Sequence, residues 1–289
     1  MSRGKKILSI IIVSFNVKDK ILRCLRNLVP TILGWEIIVI DNNSSDRSFE
    51  TLKKQFQNKI ILKRNRKNFG FAKTVNQGIK LSQGKYILLV NPDTIPTSKV
   101  INQLLRFFDK HYDIGIIGGK LNRPHAKGDI YGTFVNKPSF WTGLFDFTNL
   151  RKLWSNNPFH RAFYYRDDRI VGPKDVWGVS GAFMLIRSEV IEKIGVFDEN
   201  FFMYLEDVDF GIRAKEAGFR VVFYPHAAII HESGSSSQNK FHINVPAWRE
   251  SRKYFFRKHF GIIRGNILWL AFTIDEMVNN FIHWSKNEQ

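Results

Sequence analysis

Ile7-Leu8-Ser9-Ile10-Ile11-Ile12-Val13-Ser14-Phe15-Asn16 decides the fold. A strand with one face in water alternates apolar and polar residues. The nearly unbroken aliphatic run over 7–13 instead reads as a strand buried on both faces, the habit of parallel sheets. Arg3, Lys5 and Lys6 ahead of it imitate the start of a signal peptide. The run is short, however, and leads into Ser14-Phe15-Asn16 with no small-residue cleavage site, so a buried strand is the better account.

Working outward, the pattern repeats. Strands are expected over 36–40, 60–63, 86–90 and 114–118, and helices over 18–28, 49–56, 72–81 and 100–109. In the first helix Ile21, Leu22, Leu25 and Leu28 fall on one face. This rhythm implies a mostly parallel, doubly covered α/β sheet. Ligands of such sheets sit outside the carboxyl ends of the strands. The polar residues directly after strands therefore matter most: 14–16, 41–46 and 91–93. The stretch 120–174, rich in aromatics, Arg and Asn and broken by Pro124, Pro138 and Pro158, reads as irregular, a lid or acceptor-binding insert. Order returns with a strand pair or strand-turn over 175–187 around Ser180-Gly181-Ala182. A helix over 188–194, a loop over 195–205, a helix over 208–217 and a strand over 220–224 follow. A Ser-rich loop over 232–239 precedes a helical tail, 247–284, expected as two helices broken near Gly261–Gly265. The organisation expected is a catalytic domain over 1–236, split into a nucleotide-binding half (1–118) and an acceptor half (119–236), and a basic helical extension over 237–289.

The chain has 289 residues, 44 Lys and Arg, and 26 Asp and Glu, a formal charge of +18. The length supports a large core and the ordinary apolar content excludes wholesale disorder. One cysteine, Cys24, excludes a disulfide framework and a Cys-based zinc site, and fits a reducing compartment. The charge predicts an anionic partner: nucleic acid, phospholipid or a phosphorylated small molecule. No uninterrupted apolar stretch reaches the roughly 20 residues of a spanning helix.

Four groups carry candidate chemistry. Asn91-Pro92-Asp93 follows a buried strand; it is good turn chemistry, and equally suits a hard divalent cation that bridges phosphates. Glu206-Asp207-Val208-Asp209 precedes a helix. First-turn acids cap helices, yet three carboxylates in four residues exceed that need and offer a general base. His231 is a structural histidine or a third metal contact beside Asp93. Asn68-Phe69-Gly70-Phe71-Ala72, followed by Asn76, opens a helix where glycine would let backbone amides approach phosphate. It is not a dinucleotide fingerprint, and no Walker motif or nucleophile elbow appears.

Together these stretches resemble the family-2 glycosyltransferases, of GT-A fold, and within them bacterial rhamnosyltransferases of surface-polysaccharide assembly. The resemblance rests on Ser9-Ile-Ile-Ile-Val-Ser-Phe-Asn16, Val39-Ile-Asp-Asn-Asn-Ser-Ser-Asp46, Asn68-Phe-Gly-Phe-Ala72 with Asn76, and Leu89-Val-Asn-Pro-Asp-Thr94. It continues through Val179-Ser-Gly-Ala-Phe-Met-Leu-Ile-Arg187, the run from Gly195 to Asp209, and His231-Glu-Ser-Gly-Ser-Ser236. It implies that Val13, Ser14, Phe15 and Asn16 line the base and ribose, and that Asp41 contacts one of them. Asn43, Asn68, Gly70, Asn76, Ser180 and Gly181 join the donor site. Asn91 and Asp93 stand at the Asp-x-Asp position, with Asp93 and His231 as contacts to Mn2+ or Mg2+. Asp207, beside Glu206, stands as the catalytic base of an inverting transfer. The implied donor is dTDP-L-rhamnose, then a UDP-hexose, and the implied acceptor a glycan or a polyprenyl-diphosphate-linked glycan. A sugar-nucleotide pyrophosphorylase would want a Gly-rich basic loop after the first strand, which Ser14-Phe15-Asn16-Val17 is not. A specific nucleic-acid binder lacks any recognised signature.

Between 51 and 73 lie eight Lys and Arg and no acid; a solvated face accounts for most of them. The tail interleaves basic residues with Trp248, Tyr254, Phe255, Phe256, Phe260 and Trp269. Docking on an anionic cytoplasmic leaflet is expected; packing on the catalytic domain and a homodimer interface are the alternatives. A peripheral location on the inner face of the cytoplasmic membrane follows.

Overall fold

The computed structural model describes residues 7–29, 34–122, 133–155, 157–164, 170–232 and 246–287, with side chains described as far as Phe281. The Ser-rich loop expected after Glu232, and Pro124 in the insert, lie outside the described residues.

The first half follows the expected alternation: β1 (Leu8–Ser14), α1 (Lys18–Leu28), β2 (Trp35–Asp41), α2 (Ser48–Phe56), β3 (Ile61–Arg64), α3 (Phe71–Leu81) and β4 (Tyr86–Val90). A two-residue β5 (Thr94–Ile95), then α4 (Ser98–Asp109) and β6 (Ile114–Asn122) follow. The insert holds β7 (Phe134–Val135) and three short helices, α5 (Phe140–Asp146), α6 (Leu150–Leu153) and α7 (Pro158–Tyr164). Its expected irregularity is therefore corrected. α5 starts at a reciprocal cap in which Ser139 accepts from the Thr142 amide and Thr142 from the Ser139 amide, a local device that needs no apolar period. Next come β8 (Lys174–Asp175), β9 (Gly178–Val179), β10 (Phe183–Arg187), α8 (Ser188–Ile194), α9 (Glu206–Glu216), β11 (Arg220–His231) and α10 (Pro246–Asn287).

The main sheet runs β3-β2-β1-β4-β10-β6-β11-β5, with β8 beside β11. β3, β2, β1 and β4 are mutually parallel, whereas β10 enters antiparallel between β4 and β6. Successive side chains of the sheet serve two cores. Ile10, Ile12, Ile37 and Val39 join α1, α2 and α4 on one face; Ile11, Ile38 and Ile40 join α3, α8 and α9 on the other. β11 runs past the expected end at Tyr224 to His231, with a register shift between Tyr224 and Ala228.

α10 folds back on itself at Gly261, whose backbone (φ 72°, ψ 178°) only glycine adopts without strain. Its two halves pack together: the Phe256 and Phe272 rings lie 5.5 Å apart, and fully buried Arg252 reaches across to Asp275 and Glu276. The expected break near Gly261–Gly265 is thus present. Trp248, Phe255, Phe256, Leu268 and Phe272 belong to the same core as α3 and α9.

Candidate active site

Parallel pairing sets Ser14, the end of β1, beside Asp41, the end of β2. The chain then turns through residues with positive φ, Asn16 (53°) and Asn43 (71°), a conformation asparagine tolerates better than most residues. The Asn16 amide donates to Ser44 Oγ at 3.0 Å, and its side-chain oxygen accepts from the Ser45 amide at 2.8 Å. These bonds pin the two strand-end loops together. Asp41 Oδ2 accepts from the Ser44 amide at 3.0 Å, and Arg64 Nε stands 3.7 Å away. Asp41 Oδ1 and Ser14 Oγ are buried without a partner among the described residues. Buried polar atoms of this kind are costly unless a ligand or water serves them. Val13 is half-buried, Asn43 is exposed, and the Phe15 ring is exposed at the rim.

One sequence expectation changes here. Gly70 (φ 81°) is pressed against Phe202: a Cβ there would meet the Phe202 carbonyl at 2.3 Å. Three backbone amides at this helix start have protein partners. Phe69 N donates to Asn42 Oδ1, Gly70 N to Asn68 Oδ1 and Phe71 N to the Phe202 carbonyl. Asn76 likewise turns away from the strand ends, binding the Phe197 amide and carbonyl at 3.0 and 2.8 Å. Gly70 and Asn76 therefore pack on and bond to the 197–202 loop, while Asn68 bonds Asn42 and the Gly70 amide. Asn42, which lies in the 41–46 stretch but has no role of its own in the sequence reading, is the hub: buried, it bonds Asn65, Asn68, Phe69 and Gly70.

The second centre is Asp93 with His231. β5 pairs with the end of β11, placing Thr94 opposite His231. His231 Nε2 lies 3.1 Å from Asp93 Oδ1, and the Glu232 amide donates to the Asp93 carbonyl at 2.8 Å. Burial pushes the Asp93 carboxyl up, but the His231 hydrogen bond and charge, with Lys20 nearby, outweigh it and hold the group below its ordinary value. Asp93 thus stays ionised, as a metal ligand must. His231 Nδ1 is buried without a partner among the described residues. Among those residues no group of three or more His, Cys, Asp or Glu side chains is placed to hold a metal ion. One carboxylate, one imidazole and an amide at Asn91 suit a cation that completes its shell with phosphate and water, the habit of Mg2+ and Mn2+ at nucleotide sites.

The third centre is the start of α9. Tyr204 and Leu205 enter it with positive φ, 75° and 66°, strain that persists only where surroundings hold it. The three acids then separate by role. Asp207, half-buried, accepts from the Gly181 amide at 3.1 Å through Oδ2 and from its neighbour Val208 at 2.9 Å through Oδ1. Burial raises its carboxyl above the ordinary value, against these hydrogen bonds. Glu206 is buried, its Oε2 lacks a partner among the described residues, and burial with the neighbouring Asp207 charge pushes it well up. Asp209, fully buried, faces the other way and meets Lys258 at 2.7 Å, His259 at 2.8 Å and Arg213 at 2.8 Å. Lys258 also pairs with Asp198 at 2.7 Å, and Tyr254 donates to the same carboxylate. α10 therefore braces both α9 and the 195–205 loop. These contacts span about fifty residues of sequence, and no local pattern announces them.

The β4–β10 pairing unites the second and third centres. The Asn91 amide donates to the Ala182 carbonyl at 3.0 Å, and the adjacent Gly181 holds Asp207. Ser180 closes that turn, with its own amide on the Thr133 carbonyl at 2.9 Å. A carboxylate of raised pKa and an ionised carboxylate–imidazole pair thus flank one tight turn at the carboxyl end of β4.

The family model "Glycosyl transferase family 2" matches residues 9–195. An "N-acetylglucosaminyl-diphospho-decaprenol L-rhamnosyltransferase" of Mycobacterium tuberculosis is 26% identical over 91% of this chain and 88% of its own. The "dTDP-rhamnosyl transferase RfbF" of Shigella flexneri is 24% identical over 86% of this chain and 77% of its own. Among solved structures, Staphylococcus aureus TarS 1–349 superposes with a TM-score of 0.56 over 92% of this chain and 70% of its own, at 15% identity. A Pyrobaculum calidifontis mannosyltransferase, solved with GDP-Man and Mn2+, gives 0.58 over 93% and 69%, at 13% identity. These likenesses agree with a GT-A sheet carrying a helical C-terminal addition.

Proposed function

The chain belongs to glycosyl transferase family 2 and is a glycosyltransferase, and on that premise we propose that it moves L-rhamnose from dTDP-L-rhamnose to a hydroxyl of a polyprenyl-diphosphate-linked glycan, with inversion. A UDP-hexose is the second donor in order. The observation that carries this reading is the placement of Asp207 and the Asp93–His231 pair on either side of the 180–182 turn.

The strand-end loops receive the nucleoside. Asp41 Oδ1 and Ser14 Oγ, buried and unserved, suit the hydrogen-bonding groups of base or ribose, and Phe15 supplies an aromatic face at the rim. Asp93 and His231 would hold Mn2+ or Mg2+, which when bound supplies positive charge against the leaving diphosphate. Asp207 accepts the proton of the acceptor hydroxyl. That oxygen bonds to the anomeric carbon as the bond to the diphosphate oxygen breaks, and the electron pair leaves with the diphosphate. One displacement inverts the carbon and leaves no sugar on the enzyme. Two backbone amides aim the Asp207 carboxylate, the positioning on which general-base catalysis depends. Burial and the Asp207 charge push the neighbouring Glu206 carboxyl well up, which disfavours a second negative charge beside the base.

The names of the Mycobacterium and Shigella relatives support rhamnose as the sugar, and the first supports a lipid diphosphate acceptor. Calorimetric titration with dTDP-L-rhamnose, UDP-glucose and GDP-mannose, each with and without Mn2+, tests the donor. Preferential, Mn2+-dependent binding of dTDP-L-rhamnose is expected. Equal binding of all three, or binding indifferent to Mn2+ in both wild type and Asp93→Ala, contradicts the reading.

A further inference from the structure

We propose that the protein docks on an anionic lipid leaflet through one composite face, made by the outer side of the second half of α10 and the aromatic platform of α5–α6. The second half of α10 buries Leu268 and Phe272 inward but leaves Ile263, Ile267, Leu270, Ile274, Met277 and Phe281 exposed along one stripe. The fold-back places Ile262 and Ile263 at its tip, 82% and 77% exposed. Beside it, Trp141, Leu153 (85% exposed) and Trp154 stand out from the platform. The two parts adjoin: Leu268 and Phe256 pack on Gly143 of α5, and Asp275 accepts from the amide and side chain of Asn149, where α6 begins. So many large apolar side chains left exposed on adjoining elements are unusual on a protein that works alone in water.

Charge selects the occupant. The two acids of this helical segment, Asp275 and Glu276, turn inward to Arg252, Lys253 and Asn149. Arg257 and Arg264 flank the tip, and Lys152 stands exposed between Leu150 and Leu153. The face is therefore apolar with a cationic margin, on a chain of net charge +18. A second copy docked about a two-fold axis would meet the same patch with the same positive margin. Anionic headgroups neutralise it while the apolar stripe enters the acyl boundary, and exposed Trp side chains suit that boundary. No helix among the described residues is long and apolar enough to cross a membrane, so the contact lies along the surface. The first half of α10 binds Asp198, Met203 and Asp209, which ties the docked helix to the loop and helix that carry Asp207. The proposal does not depend on which sugar is transferred.

Co-sedimentation of the full chain with phosphatidylcholine vesicles, with and without about one-third phosphatidylglycerol, tests it. Binding to the anionic vesicles, weakened by salt, is expected, with little binding to neutral ones. The variants Ile262→Ser/Ile263→Ser and Leu153→Ser remove side chains that are 82%, 77% and 85% exposed, so they should keep the wild-type melting temperature and each lose roughly tenfold or more in vesicle affinity. Absence of binding by the wild type, or wild-type binding by both variants, overturns the proposal. So does a dimer in analytical ultracentrifugation that these substitutions dissociate, without any vesicle binding.

Discussion

Asp207→Asn removes a proton acceptor while keeping shape, and its two consequences separate cleanly. Asp207 serves two backbone donors, Gly181 through Oδ2 and Val208 through Oδ1. An amide has one acceptor oxygen, so one of these N–H groups would face the Asn NH2. An unserved buried donor costs about 1–3 kcal/mol. The site is only half-buried, which favours the lower end, or a fall of about 2–4 °C in melting temperature for a chain of this size. Loss of a positioned general base lowers kcat by about 10²–10⁴, equivalent to roughly 3–5 kcal/mol of barrier. Donor affinity should hold within about twofold, a change worth less than ~0.5 kcal/mol, because the nucleoside contacts lie at the ends of β1 and β2. Single-turnover transfer at saturating donor, with calorimetry of donor binding and a thermal melt, measures all three. A kcat within tenfold of wild type, in a variant that melts within a few degrees of it, refutes the assignment. Parallel loss of donor affinity would instead move Asp207 into the donor site.

Three further outcomes follow from the same geometry. Asp207 works deprotonated and burial raises its carboxyl; kcat should therefore fall, as pH drops, at a pH above the range of an exposed aspartate, and a limb at or below that range would exclude it as the base. Asp209 is held below its ordinary value: burial pushes it up, and His259, Lys258 and Arg213 outweigh that. Its contribution is thus present above the ordinary carboxylate range and lost as pH falls through the depressed folded value. Asp209→Ala should destabilise by about 3 kcal/mol at neutral pH, and melts should show the gap to wild type closing below roughly pH 4; a constant gap would contradict the ion pairs. Gly261→Ala forces a side chain into φ 72° and should cost about 1–3 kcal/mol, read in a denaturant melt; an unchanged midpoint would mean the fold-back is not fixed there.

The strands over 7–13, 36–40 and 86–90 were legible because burial on both faces leaves a nearly unbroken apolar run. The direction of β10 was not, since a short buried strand reads the same either way; its antiparallel entry depends on a β4 neighbour far off in sequence. The extension of β11 to His231 was hidden by Pro225 and His226, which break the apolar run at the register shift. Residues after strands pointed to Asp41 and Asp93, and the structure places both at strand ends. A glycine at a helix start means close approach without saying to what; at Gly70 one close neighbour is Phe202. By spacing alone the three acids at 206–209 looked equivalent; the family resemblance singled out Asp207, and partners about fifty residues away show Asp209 to be the braced one.

The central claim is rhamnosyl transfer with inversion. The direct measurement supplies dTDP-L-rhamnose, Mn2+ and a polyprenyl-diphosphate-linked N-acetylglucosamine acceptor to the full chain, and reads the anomeric configuration of the product by NMR. The account predicts a rhamnosylated lipid whose anomeric centre is opposite to that of the donor. A product with the donor's configuration, or transfer from UDP-glucose but not from dTDP-L-rhamnose, would contradict it.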